Sequence, residues 1–255
     1  MSANNKLGEQ LISLSRQKFT GILTITSQDN KQKWSMFFCF GQYLWTEGGY
    51  HANRSWQRNF NQYCPNVDIS SIIVRKRNQL EIHSFHYYLT YTLVQRKIIQ
   101  RKQAKALIDN HSHEIFFDLL QKEYNNSLQY DVQNTSPYYL LKTGFSLSLA
   151  QTNLEQILFQ SQLSWSAWGA KGLASCSPHH APFLKPNQEL QKQLPDIIFV
   201  NMSRLLNGKN TLRDLAVKMK KNVLDVTCGI VPYFFKGYLR LLEISDIPID
   251  KLYDR

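Results

Sequence analysis

Apolar residues recur with changing periods along the chain, and each change of period marks an element. Leu7, Leu11 and Leu14 fall at i, i+4 and i+7, which predicts an amphipathic helix over 6–18. The stretch "FTGILTITS" is β-branched and alternating and predicts a strand. "QDNKQK" supplies turn residues. "WSMFFCF" places Trp34, Met36, Phe38 and Phe40 on one face and Phe37 and Cys39 on the other. Aromatics on both faces predict a central strand covered on both sides. Gly41-Gln42 predicts a two-residue turn, and "YLWTEGG" the third strand of an antiparallel meander.

The helical period returns after an irregular segment over 61–78, which holds Pro65 and a possible short strand at "DISSIIV". Phe85, Leu89 and Leu93 are spaced by four, and a helical stretch is expected over 80–108. "DNHSH" is expected to interrupt it, with Ser112 capping a second helix, "HEIFFDLLQKEY". "SLQYDVQN" reads as a strand, and "YYLLKTGFSLSLA" is open between strand and loop. Leu154, Ile157, Leu158, Trp165 and Trp168 mark a helix over 151–169. "SCSPHHAPFLKP" is expected to be a loop because of its prolines. Helical pattern resumes at "NQELQKQL", with Pro195 kinking it or starting a further helix that stops at Asn207-Gly208. The tail reads helix, turn, helix, short strand. The expected fold class is α+β: a small antiparallel meander flanked by helices, a helical middle and a C-terminal winged-helix-like helical subdomain.

Composition adds a bias toward anionic partners. Lys and Arg number 30 against 19 Asp and Glu, a formal net charge of +11. Such a field favours nucleic acid, an anionic membrane or an acidic protein face. No apolar run reaches the roughly 18 residues of a membrane helix. "MSANNKLGEQ" has no apolar core of a signal peptide, so a cytoplasmic location is expected. The four cysteines, Cys39, Cys64, Cys176 and Cys228, have no CxxC spacing and read as buried or free thiols.

No HExxH, GxSxG, P-loop or GxGxxG pattern occurs, and the reading is non-enzymatic, with no cofactor and no metal. His179 and His180, near Cys176, lie between prolines and read as an exposed turn, since zinc requires a fuller ligand set. Two groups are left as partner-binding candidates. The first is the aromatic and cationic stretch Tyr50, His51, Arg54, Trp56 and Arg58, which follows Gly48-Gly49 and has the composition of a contact hot spot. The second is Lys97, Arg101 and Lys105, four apart and expected on one helix face, with Arg96 and Lys102 beside it and Arg75, Lys76 and Arg77 upstream. A solvated face is the plain alternative for the second group. The segment 211–243 has a winged-helix outline and is the alternative function, DNA binding, although its second helix, "NVLDVTCGIVPYFFKG", is apolar for a reader of base edges.

The stretch "FTGILTITSQDNKQKWSMFFCFGQYLWTEGGYHANRSWQR" resembles the start of the PATAN domain, the N-terminal region of PatA-like cyanobacterial response regulators. The shared pattern is F-T-G-x-L at Phe19 to Leu23, W-x-x-x-F leading into F-x-x-G-x-x-x-W from Phe38 to Trp45, and G-G-x-H-x-x-R-x-W-x-R from Gly48 to Arg58. "SWSAWGAKGL", "SPHHAP", "LLNGKNTLRDLAVKM" and "VPYFFKGYLRL" continue the resemblance in order along nearly the whole chain. It implies one domain over 1–255: helix and meander over 6–60, a mainly helical middle over 79–205, a helix-turn-helix-like part over 206–245 and a linker over 246–255. It further implies a signal-transduction adaptor of a two-component system that acts by protein–protein interaction, in phototaxis through type IV pili or in heterocyst patterning. The implied partner is a pilus motor ATPase or another signalling protein. Family members carry a C-terminal receiver domain; Asp246, Asp250 and Asp254 do not form the acidic pocket of one, and a module without a receiver is expected.

Overall fold

A computed structural model describes residues 6–28, 31–69, 83–125, 128–146, 152–186 and 188–248. Arg75, Lys76, Arg77, Asp250, Asp254 and most of the strand expected at "DISSIIV" lie outside those residues. The chain divides into two units, one made of residues 1–167 with 247–255 and the other of residues 168–246. Helices and an antiparallel sheet coexist in the first, so the chain is α+β.

The first unit is built on a four-stranded antiparallel sheet. Its strands are β1 (Gly21–Ser27), β2 (Lys33–Cys39), β3 (Gln42–Gly48) and β4 (Leu128–Asn134), in the order β3-β2-β1-β4. Trp34, Met36 and Phe38 of β2 enter one hydrophobic cluster, and Phe37 and Cys39 enter another on the opposite face. The expected double cover of β2 is therefore met. The turn into β3 is Phe40-Gly41, one residue earlier than the expected Gly41-Gln42, with both residues at positive φ, 51° and 78°. The β2–β3 register slips between Phe37 and Phe38, which pair with Trp45 and Tyr43. Leu44 is the bulged residue, so Leu44 and Trp45 both join the second cluster while Tyr43 joins the first.

Helices cover both faces. Helix α1 (Lys6–Arg16) buries Leu7, Leu11 and Leu14 in the first cluster, as its period predicts. Helix α2 (Ala52–Tyr63) and helix α3 (Phe85–Gln95) feed the second. Helix α4 (Arg101–Asn125) serves both: Ala104, Leu107 and Ile108 enter the second cluster, Ile115, Phe116, Leu119 and Leu120 the first. Because its apolar stripe changes partner half-way, the sequence suggests two helices where there is one. The expected break at "DNHSH" is absent, and Ser112 is no cap. It is buried mid-helix, where its Oγ donates to Ile108 O at 2.7 Å and bonds Tyr43 Oη at 3.0 Å. The break falls earlier, at 96–100, between α3 and α4. "PYYLLK", left open between strand and loop, is helix α5 (Pro137–Lys142), with Ser136 as its cap and Pro137 in the first turn. Helix α6 (Leu154–Ala170) turns Leu154, Ile157 and Leu158 into the first cluster.

The second unit has its own core of Leu184, Leu190, Leu206, Leu212, Leu215, Ala216, Val226, Ile230 and Leu239. Its elements are β5 (Ala181–Leu184), α7 (Gln188–Gln193), α8 (Asp196–Leu205), α9 (Leu212–Met219), α10 (Val223–Phe235) and β6 (Leu239–Leu242). The prolines do not keep 181–184 irregular: β5 pairs antiparallel with β6, Pro182 opposite Leu241. A short strand accommodates Pro182 where its missing N–H is not needed by the ladder. Pro195 caps a new helix, α8, and does not kink α7.

Candidate functional site

The glycines before α2 fix how the aromatic stretch meets the sheet. A side chain at Gly49 (φ 79°) would lie 2.1 Å from Trp34 Nε1, so only glycine lets the chain pass the buried indole. The next residue, Tyr50, is half-buried, edge-on to Trp34 at 6.3 Å, with Lys122 Nζ 5.7 Å from its ring centroid. His51 is half-buried in the left-handed region at the start of α2, and Arg54 is half-buried one turn on.

Two of the expected anchors belong to the interior. Trp56 is fully buried, stacked on Phe60 at 4.9 Å, and its Nε1 donates to Thr90 Oγ1 at 3.1 Å. Arg58 is buried, and its Nη2 meets Glu114 Oε2 at 2.5 Å. Neither offers a surface contact, which corrects the reading of Gly48–Arg58 as one exposed patch. The reason is that their partners, Thr90 on α3 and Glu114 on α4, are far away in sequence and invisible to local pattern.

Around this ion pair the polar groups form a connected network, in which His86 Nε2 is buried without a hydrogen-bond partner among the described residues. Ser55 Oγ donates to Glu114 Oε2 at 2.8 Å. His111 Nε2 donates to Thr46 O at 3.1 Å, and its ring lies flat on Trp45 at 4.0 Å. Burial lowers the His111 pKa to about 4, so the imidazole is neutral. Glu47 accepts from Trp45 Nε1 at 3.1 Å and from Ser84 Oγ, with His86 Nδ1 at 3.5 Å. Burial opposes its charge, but these partners, His86 foremost, hold its pKa below the usual carboxylate value. The network ties β3, α2, α3 and α4 together, and we read it as structural.

The cationic candidates are split by the helix break. Lys97 lies between α3 and α4 in a left-handed conformation (φ 59°) and is not on a common helix face with Arg101 and Lys105, which corrects that expectation. Ile98 N donates back to Leu93 O at 2.9 Å and closes the end of α3, while Ile99 is buried and anchors the turn. Lys105 is half-buried and paired with Asp109. What remains is an exposed tip bearing Arg96, Lys97, Arg101 and Lys102. Arg101 and Lys102 occupy the first turn of α4, which has no acidic residue. Cations there face the positive end of the helix dipole, at a cost of a few tenths of a kcal/mol each.

In the second unit, α9 and α10 form the expected helix–turn–helix, followed by β6. Thr211 and Asp214 make a reciprocal capping box at the start of α9. Along α10 the exposed row is Asp225, Gly229, Pro232 and Phe235, the last 81% exposed. Such a row has no side chain that donates to a base edge. The sequence offered α8 as a helix after Pro195 but did not single out its apolar surface: none of its residues is buried, and Ile197, Ile198 and Val200 are 72%, 46% and 58% exposed. The signal was present in "IIFV", since four consecutive apolar residues wrap more of a helix than one core can cover.

His179 Nε2 accepts from the buried Arg213 at 2.9 Å, and burial lowers the pKa of His180. Among the described residues no group of three or more His, Cys, Asp or Glu is placed to hold a metal ion. Burial raises the thiols of Cys64 and Cys176 to a pKa of about 11, away from nucleophilic reactivity. No helix among the described residues is long and apolar enough to cross a membrane. The chain matches no protein-family model, no curated protein and no solved structure.

Proposed function

We propose that the protein is a signal-transduction adaptor of the PATAN type that docks an acidic face of another protein. The observation that carries this is the cationic tip. Arg101 and Lys102 stand at a helix N-terminus, where folding alone disfavours them, beside the exposed Arg96 and Lys97. A local choice that opposes stability is expected where function sets the residue. The exposed apolar row on α8 supplies a surface of the kind that marks protein contacts. The sequence resemblance suggests a pilus motor ATPase as the partner to try first.

The test is binding of the purified chain to a purified type IV pilus motor ATPase by surface plasmon resonance. Arg101→Glu with Lys102→Glu should slow association at least ~10-fold, with circular dichroism unchanged, since rim charges act mainly on the on-rate. An unchanged on-rate would refute the tip. The second reading, DNA binding, is favoured by the α9–α10–β6 topology and by Lys218, Lys220 and Lys221 around the α9–α10 turn. It predicts duplex affinity that falls steeply with salt. The exposed row of α10, with its aspartate, proline and phenylalanine, weighs against it.

A further inference from the structure

We infer that two copies of this chain join through β4: its free edge pairs antiparallel with the β4 of a second copy, about a two-fold axis at Val132, and makes one sheet of two. Strand β4 ends the sheet and, among the described residues, pairs with β1 alone. Thr135 N donates to Thr20 O at 3.1 Å, and opposed residues of an antiparallel ladder alternate between bonded and unbonded pairs. In the register that sets Ile22 opposite Gln133 and Leu23 opposite Val132, the bonds to β1 therefore fall at Gln133, Asp131 and Gln129. The N–H and C=O groups of Tyr130, Val132 and Asn134 point out of the sheet. Such a row of donors and acceptors is a template for another strand. The usual safeguards are missing: β4 is seven residues long, its ladder with β1 is unbroken by a bulge, and it holds no proline and no lysine. Val132 is 41% exposed, although it stands opposite the fully buried Leu23 on the face of the first cluster.

Two observations make the occupant a second β4. The first is that the sheet's other edge is closed. In β3, Leu44, Trp45 and Thr46 are buried, Leu44 is bulged, and Thr46 O is taken by His111 Nε2 at 3.1 Å. A copy of this chain can offer only its β4 edge, so the pairing is isologous and stops at two. The second is that the strand complements itself in one register. With Val132 on the axis, Val132 faces its own copy and Tyr130 faces Asn134. Asp131 then faces Gln133, whose amide donates to the carboxylate. The register with Asp131 on the axis sets two carboxylates against each other and is disfavoured. Asp131 is the only charged residue from Asn125 to Leu141, so the pairing brings no lysine or arginine of this stretch against its copy. On the cluster face Lys6 Nζ lies 5.5 Å from the centroid of the Tyr130 ring, and Glu123 accepts from Tyr130 Oη at 3.1 Å, two charges of opposite sign beside the axis.

A seven-residue strand buries less than the roughly 800 Å² per partner of a standard interface, so a weak dimer is expected, with Kd on the order of 10 μM. Sedimentation equilibrium on the full chain over a concentration series measures it, at about 0.15 M salt to screen the repulsion between two cations. Amide hydrogen exchange on the same solutions locates it. The amides of Tyr130, Val132 and Asn134 should exchange at least ~10-fold more slowly in the dimer than in the monomer. Val132→Lys should weaken the dimer more than ~10-fold by setting two ammonium groups opposite each other on the axis. Val132→Pro is the second variant, should the first fail to fold by circular dichroism; the N–H it removes is one that β1 does not use. A chain monomeric at about 1 mM, assembly beyond two, a dimer whose edge amides exchange as fast as the monomer's, or a dimer indifferent to the substitution would overturn the proposal; 1 mM lies far above the expected Kd. Motor-ATPase binding through the tip can fail or succeed without altering this result, since neither variant touches Arg101 or Lys102.

Discussion

His111 illustrates how little a residue's type says of its task. In sequence it stands in a polar run, "DNHSH", that reads as a helix break. In the structure it is buried against Trp45, and its burial lowers its pKa from 6.5 to about 4. The unfolded chain therefore takes up a proton near pH 6.5 that the folded chain refuses. Its contribution to stability is complete above pH 6.5 and is lost as pH falls toward 4, by about 3 kcal/mol in all. Urea unfolding of the wild type and of His111→Asn, compared between about pH 7.5 and pH 4, isolates it from the other groups. His180 has the same sign, but it is common to both proteins and cancels in the difference. The variant should show the shallower loss of stability on acidification. Equal losses would mean that His111 is solvated in the folded state. The same burial explains why Trp56 and Arg58 looked like surface anchors. An aromatic or a cation is read as exposed until its partner is known, and Glu114 lies 56 positions beyond Arg58.

At the level of elements, the legible parts were those whose apolar period answers to one neighbour. Helix α1 buries one leucine stripe, β2 alternates between two cores, and α9 and α10 each show a single period. Illegible parts answer to two. Helix α4 changes core half-way, so its middle looks polar; its His111 and Ser112 find partners on β3 and α2 instead of breaking it. The bulge at Leu44 was hidden for a related reason, because a register slip between Phe37 and Phe38 shows only in the pairing of two strands. The β2–β3 turn gives a test at this scale. Phe40 is 58% exposed at φ 51°, a conformation that asparagine adopts at lower cost than phenylalanine. Phe40→Asn should stabilise the protein by about 0.5–1 kcal/mol. Gly41 also needs its positive φ, and an added Cβ would lie 2.2 Å from Ser15 O at the end of α1. Gly41→Ala should therefore destabilise by at least ~2 kcal/mol. Urea midpoints that move in the same direction for both variants would show that the turn is not where the strain resides.

For the whole molecule, the separation of cores matters more than the net charge. The clusters on the two faces of the sheet are made from residues of the first unit, and the third cluster from residues of the second. A unit with its own core is a candidate for its own unfolding transition. The tryptophans report on this separately: Trp34, Trp45, Trp56 and Trp165 belong to the first unit and Trp168 to the second. Trp168 is buried and its Nε1 donates to Leu173 O at 2.7 Å, so its emission should shift when the second unit opens. Leu215 is fully buried in that unit's core, and Leu215→Ala should cost about 2–5 kcal/mol there. Calorimetry of the full chain is then expected to resolve two transitions, with Leu215→Ala lowering one and leaving the other in place. The transition it lowers should be the one that Trp168→Phe makes silent in fluorescence. A single transition, displaced as a whole by Leu215→Ala, would mean that the two cores melt as one cooperative body. A partner bound to α8 would then stabilise the sheet as well, since whatever binds only the folded form of one unit raises the melting of everything that unfolds with it.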